Sequence, residues 1–434
     1  MTPSARLAAA IEVLSDIETR RRPAADALKD WGLARRFAGS RDRAAVASLV
    51  YDALRRKASA AFVMGNATPR AVALGMLALQ RGLAPEAIAA LCSGERHAPE
   101  PLSADERARL AGASLDGAPA AVAGDFPAWL EPSLTRVFGD DLVPELQALT
   151  ARAPLDVRVN TLRATREAVQ AELAHYAPTS TPLSPVGLRF AVGEDGRGPS
   201  LQSEHSFLQG WFEIQDEGSQ IATMLAGVRP GERVVDLCAG AGGKTLALAA
   251  AMANEGRIYA TDVDTRRLAP IYARIGRSGA ANVEVRAPKG RYDPKRPDPL
   301  ADLAGTVDCV LVDAPCTGTG TWRRNPDAKW RLRPGSLAER AKDQQVVLAR
   351  AAALVKPGGR IVYVTCSLLP EENDEAVAGF LSRHAGFAPQ PPAAVKETAG
   401  MPDLPARETP GGGLLLTPLT TGTDGFFVKI LRHG

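Results

Sequence analysis

The sequence is poor in aromatic residues, at 5% of 434 positions, and holds only five cysteines and five histidines. The cysteines stand at 92, 238, 309, 316 and 366, with no C-x-x-C pair and no histidine at zinc-ligand spacing. That excludes a disulfide framework or a metal site built on those thiols, and free cysteines are expected. No stretch approaches the ~18 charge-free apolar residues that a membrane-spanning helix needs. The stretch from Met1 to Arg22 lacks the apolar core and small-residue cleavage site of a secretory signal, so a cytoplasmic protein without a membrane partner is expected. A strong excess of one charge is missing too: the net charge is only +3, too small to argue for nucleic acid by itself.

What is present fits a folded globular chain, with 45% hydrophobic and 23% charged residues. At about 150 residues per domain, two to three domains are expected. The charge is unevenly placed, because residues 1–57 hold 12 Lys/Arg against 7 Asp/Glu. Arginine outnumbers lysine 42 to 10, which a GC-rich genome produces and which also suits bidentate phosphate contacts. The composition permits an RNA partner without showing one.

The first ~110 residues read as helices. Leu7, Ile11, Leu14 and Ile17 fall at three- and four-residue spacings, and so do Val46, Leu49, Val50 and Leu54. Gly112 to Gly124 reads as a linker of Ala, Gly and Pro. A small α/β insert follows, with strands expected over Asp156–Arg163 and Gly187–Phe190. Beyond about Phe212 strands and helices alternate. Strands are expected over Arg233–Cys238, Arg257–Asp262, Val283–Arg286, Val307–Asp313 and Arg360–Cys366, and helices over Lys244–Ala253, Thr265–Ser278, Leu337–Val355 and Glu371–Arg383. This alternation predicts a doubly wound, largely parallel sheet, with ligands bound outside the carboxyl ends of its strands.

The first of those strands breaks into Ala239-Gly240-Ala241-Gly242-Gly243-Lys244-Thr245. A phosphate-binding P-loop would need glycine where Cys238 stands, and a dinucleotide loop would need it at Thr245. Neither fits. The next strand ends in Asp262, 19 residues after Gly243, where an acid can accept the ribose hydroxyls of an adenosine. Loop and acid together favour S-adenosylmethionine over NAD. Two more strand ends carry Asp313-Ala314-Pro315-Cys316 and Thr365-Cys366-Ser367, so two thiols should face one crevice. Cys309 and Cys92 sit among apolar residues and read as core. Arg323, Arg324, Lys329 and Arg331, interleaved with Trp322 and Trp330, could grip phosphates and stack on bases, or form a solvated helix end with packed tryptophans.

The chain resembles the RsmB/NOP/NSUN family of RNA cytosine-5 methyltransferases, and most closely the bacterial RsmB-type 16S rRNA enzymes. The resemblance rests on Asn160–Arg163 (NTLR), Gln215–Gln220 (QDEGSQ), Asp236–Thr245 (DLCAGAGGKT) and Asp313–Trp330 (DAPCTGTGTWRRNPDAKW). It extends to Thr365–Asn373 (TCSLLPEEN) and Asp424–Phe427 (DGFF). It implies a Rossmann-like class I S-adenosylmethionine-dependent methyltransferase fold over 213–434. Before it would come a small α/β, RRM-like part over 125–212 and an all-α, NusB-like RNA-binding domain over 1–120. It further implies Cys366 as nucleophile toward cytosine C6, Cys316 as the group that helps release the product, and Asp313 and Lys244 beside them. The cofactor would be held by Cys238, Ala239, Gly240, Ala241, Gly242, Gly243, Lys244, Asp262 and Asp313. No metal is implied.

The family carries Ala-Pro where this chain has Gly240-Ala241, so a looser loop is expected. The family's acid at the end of the third strand is absent from Ala287-Pro288-Lys289-Gly290-Arg291. The expected partner is RNA, foremost that of the small ribosomal subunit, and a monomer is expected. A tRNA methyltransferase, or a non-catalytic RNA-binding assembly factor on the same fold, stays open at this stage.

Overall fold

The computed structural model describes residues 1–193, 196–288 and 298–434. The chain divides into two compact units. One is built from Met1–Arg152 together with Trp322–Leu332, the other from Ala153–Val192, Gly198–Thr321 and Arg333–Gly434.

The first unit is helical. Its opening helix, Pro3–Arg20, starts at Thr2, whose side chain accepts from the Ala5 amide, and it buries Leu7, Val13, Leu14 and Ile17. Helix Pro69–Leu79 is capped in the same way by Thr68 and is apolar almost throughout, as a central helix must be. Gly75 lets it close on helix Lys57–Met64: a Cβ at this glycine would meet the Ala60 carbonyl oxygen at 2.7 Å. The expected linker is partly structured, because Ala120–Ala123 form a helical turn. Just beyond it, the buried Asp125 carboxylate accepts from the Ala58 and Ser59 amides, at 3.0 and 2.9 Å. It thereby caps helix Lys57–Met64 from a distant part of the chain. Among the described residues no single helix is long and apolar enough to cross a membrane.

The segment Trp322–Leu332 belongs to this helical interior, and here the RNA-gripping expectation is corrected. Trp322, Arg323 and Lys329 are buried. Lys329 Nζ donates to the carbonyls of Arg55 (3.0 Å) and Asp125 (2.6 Å), and Trp330 Nε1 donates to that of Leu54 (2.7 Å). The Arg55 guanidinium donates in turn to the Arg323 carbonyl, at 2.6 Å. Only Arg324 and Arg331 of the basic group remain exposed. Burial of an amine that satisfies two carbonyls pushes the Lys329 pKa down to about 7. The unfolded chain keeps this lysine protonated to roughly pH 10, so between about pH 7 and that value the unfolded state binds the extra proton. Stability should therefore rise with pH across that window. Melting curves at several pH values should show the rise in the native protein and a flatter profile in Lys329→Met. An equally steep profile in the variant would assign the dependence to other groups.

The second unit contains two sheets. In the smaller, β1 (Leu155–Val159), β2 (Thr179–Ser180), β3 (Gly187–Phe190) and β4 (Phe212–Ile214) pair antiparallel in the order β2-β3-β1-β4. The larger holds five parallel strands: β5 (Arg233–Asp236), β6 (Arg257–Ala260), β7 (Val283–Val285), β8 (Val307–Asp313) and β9 (Val355–Thr365). After β9 the chain adds β10 (Phe387–Pro389), β11 (Arg407–Glu408), β12 (Leu414–Leu416) and β13 (Phe426–His433), with β13 antiparallel to β9. The order is β11-β12-β13-β9-β8-β5-β6-β7, with β10 paired to β13. The strand order runs from β5 to β6 and β7 on one side and to β8 and β9 on the other, so the parallel pair β5 and β8 is the topological switch point where such sheets bind ligands. Cys309 lies buried in β8, as expected of a core thiol, and Cys92 is likewise buried in the helical unit.

Candidate active site

At the end of β5 the chain must turn sharply before helix Gly243–Ala251. Gly240 and Gly242 do this with φ of +49° and +85°. At Gly242 a Cβ would stand 2.4 Å from Ile271, so only glycine fits. The loop is tied rather than loose. Ala239 N donates to Thr261 O (2.9 Å), Gly240 N to Asp262 Oδ2 (3.0 Å), Gly242 N to Ala239 O (2.8 Å), and Arg274 Nη1 to Ala241 O (2.8 Å). The flexibility expected from the missing proline is thus offset by hydrogen bonds.

Asp262 lies just past β6, buried, with one oxygen on Gly240 N and the other on Asp264 N at 2.9 Å. A carboxylate has about four acceptor positions, so two remain for hydroxyls. A cleft of about 840 Å³ opens beside it, lined among others by Val263, Thr265, Pro315 and Val347. Asp236, at the end of β5, takes a 2.7 Å hydrogen bond from Thr245 on one oxygen, while its other oxygen has no partner among the described residues. Burial pushes its pKa up to about 7. A bare glycine loop, an acid with free acceptor positions and an orphaned buried oxygen fit an adenosine-bearing cation such as S-adenosylmethionine. The expected gap at the third strand, residues 289–291, lies outside the described residues.

The two thiols do meet. β8 and β9 run parallel with Asp313 beside Val364, and the Ala314 amide donates to the Val364 carbonyl at 2.8 Å. The following loops bring Cys316 Sγ to 3.4 Å from Cys366 Sγ. Lys244 Nζ lies 2.7 Å from Asp313 Oδ2 and 5.3 Å from the ring centre of Phe426. Burial lowers the Lys244 pKa, but the charges of Asp313, Cys366 and Asp236 raise it by more, so it stays a cation. The Cys316 thiol is held well above its ordinary range, first by its hydrogen bond to Cys366 and then by burial. Cys238 is pushed up by burial as well, which suits a wall of the pocket rather than a nucleophile.

The expected residues Lys244, Asp313, Cys316 and Cys366 thus stand together, while Cys238 and the glycine loop follow β5 and are joined to Asp262, after β6, by the Gly240 amide. Asp236 and Phe426 were missed as individual positions. Their motifs were visible, but burial and orientation are not written in spacing.

The model of the family described as 16S rRNA methyltransferase RsmB/F matches residues 222–432, and that of its ferredoxin-like domain matches residues 126–193. The probable ribosomal RNA small subunit methyltransferase B of Synechocystis is 33% identical over 310 residues, 71% of this chain and 66% of the relative. The chain belongs to the RsmB/F methyltransferase family. A second such relative, the ribosomal RNA small subunit methyltransferase B of Sodalis glossinidius, is 34% identical over 312 residues, again 71% of this chain and 66% of the relative. The match thus spans about two thirds of these relatives' length. Among solved structures, that of PH0851 aligns over 100% of this chain and 99% of its own, with TM-score 0.71 and 26% identity. A methyltransferase homologue from Pyrococcus horikoshii aligns over 73% of this chain and 98% of its own, with TM-score 0.58 and 25% identity. This family member therefore has the class I methyltransferase fold, with a helical N-terminal region.

Proposed function

We propose that the protein methylates C5 of a cytosine in RNA, foremost 16S rRNA, using S-adenosylmethionine and a covalent cysteine intermediate. The observation that carries this reading is the contact of two thiols at 3.4 Å beside the Lys244–Asp313 ion pair. A binding protein needs neither. The glycine loop, Asp236 and Asp262 would hold the cofactor. Bound there, S-adenosylmethionine supplies an electrophilic methyl group.

Cytosine C5 is a poor nucleophile until something adds at C6. Cys366 makes that addition as thiolate: its sulfur bonds to C6 and the electron pair of the C5–C6 bond moves toward C5. Asp313 accepts from the cytosine edge and favours N3 protonation, which drains electrons from C6. Lys244 holds the Asp313 carboxylate in place. While Cys366 is a thiolate, Cys316 keeps its proton, because that neighbour is the largest cause of its raised pKa. Once the Cys366 sulfur is bonded to C6, that cause is gone. Cys316 can then pass its proton to solvent and, as thiolate, take the C5 proton, and the C6–sulfur bond breaks with its electron pair returning to the Cys366 sulfur.

Bisulfite sequencing of total RNA from a deletion strain beside wild type tests the reading. One lost 5-methylcytosine in 16S rRNA would support it. A loss confined to tRNA would move the substrate, and no loss at all would sink the proposal. At the cofactor site, Asp262→Ala is expected to weaken S-adenosylmethionine binding roughly 10- to 100-fold, the range for hydrogen bonds to a charged group. Calorimetry giving unchanged affinity would place the ribose contact elsewhere.

A further inference from the structure

The carboxylate of Glu372 is completely buried, six residues beyond Cys366, and it touches the loops of both thiols. Its Oε1 accepts from the Thr317 amide at 2.8 Å and from Gln344 Nε2 at 3.2 Å. Its Oε2 accepts from the hydroxyls of Thr317 and Ser367. Thr317 follows Cys316 in the chain and Ser367 follows Cys366, so this one side chain joins the immediate neighbours of both cysteines. Gln344 also donates to the Pro315 carbonyl at 3.0 Å, which brackets Cys316 from its other side. The Tyr363 hydroxyl fixes the Glu372 backbone carbonyl at 2.6 Å. All four acceptor positions of the carboxylate are filled. A contact between two thiols is a weak hydrogen bond and cannot by itself hold two loops in register.

We propose that Glu372 is a positioning residue that locks the Cys316 loop to the Cys366 loop and so sets the contact between their sulfurs. That these thiols are the reacting groups rests on the proposed function; their register does not. An isosteric amide should keep the lock, because its oxygen can accept from Thr317 N and Gln344. Its NH2 can donate to the Thr317 and Ser367 hydroxyls, which turn to accept. A methyl group cannot.

The test uses the full chain and phenylarsine oxide, a trivalent arsenical that forms two As–S bonds with two thiols and releases one water. Tight capture needs both sulfurs in contact, with Cys316→Ala as the single-thiol baseline. Glu372→Ala is expected to bind the arsenical at least roughly tenfold more weakly than wild type, in keeping with the loss of hydrogen bonds to a charged group. Glu372→Gln should stay close to wild type. Thr317→Val, which leaves Glu372 in place but removes one link, should weaken capture several-fold and serves if Glu372→Ala does not fold. A folded Glu372→Ala that captures as tightly as wild type would overturn the proposal, as would wild-type capture by Thr317→Val where Glu372→Ala cannot be made. Should the arsenical results hold while wild-type protein makes no 5-methylcytosine, the function falls and the lock stands.

Discussion

Cys366→Ala is expected to abolish methyl transfer and to leave no covalent adduct with RNA, whereas Cys316→Ala should accumulate one. The two sulfurs stand 3.4 Å apart, so either could reach the same base, and geometry alone does not divide their roles. The Cys316 thiol is held protonated by its hydrogen bond to Cys366 and by burial, which leaves Cys366 as the proposed nucleophile. The thiolate is the nucleophile. With Cys316 gone, addition and methyl transfer still proceed but the C5 proton has no acceptor, so protein and RNA should run together as a slow, denaturant-resistant gel band. In the reverse case, with the adduct building up in Cys366→Ala, Cys316 would be the nucleophile. If neither variant traps RNA and both keep methylating, the covalent mechanism is wrong. Asp313→Ala should slow the addition step without trapping adduct, because it acts before the C6–sulfur bond forms.

The parts of this site that the sequence made legible are those where chain order dictates position. Gly240 and Gly242 fall between a β-branched run and a helix, and Asp262 falls at the next strand end. The two cysteines follow strands that a doubly wound sheet must place side by side. The alternation of strands and helices beyond Phe212 likewise fixed the parallel sheet, with boundaries shifted by a few residues. Less legible was whatever depends on burial. Trp322, Lys329 and Trp330 look alike in sequence whether they face RNA or a protein interior, since both settings favour aromatic and long cationic side chains. The interior placement of Lys329 and Trp330 follows from carbonyl partners more than 200 residues away. Asp236 and Glu372 read as ordinary acids of a motif, yet both are buried, Glu372 with its acceptor positions filled and Asp236 with one oxygen that has no partner among the described residues. Strands β10 to β13 follow a stretch rich in Pro and Gly and pair largely among themselves, so no crossover helix announces them.

Removing residues 1–110 is expected to do more than weaken RNA binding: it should unfold the segment Trp322–Leu332. Those eleven residues pack within the helical unit, and Trp330 rests against its hydrophobic core. The truncation takes away the carbonyls of Leu54 and Arg55, leaving Trp330 Nε1 without its acceptor and Lys329 Nζ with one of its two. It also strips the Asp125 carboxylate of the Ala58 and Ser59 amides. A buried group left without its partner costs about 1–3 kcal/mol, and more when it is charged, so the segment has little reason to stay folded. Limited digestion with trypsin reads this directly. Arg323 and Lys329 are buried in the whole protein and should resist cleavage, whereas the truncated chain should be cut there early and melt at a lower temperature. Trp322 follows Cys316 by only six residues, so disorder at the segment should also slow the chemical step, lowering kcat as well as raising KM for RNA. If the helices serve only to attract RNA, the truncated chain will resist trypsin at 323–331 and keep its kcat. Its RNA affinity alone will then fall, with a flatter salt dependence because fewer phosphates are neutralised.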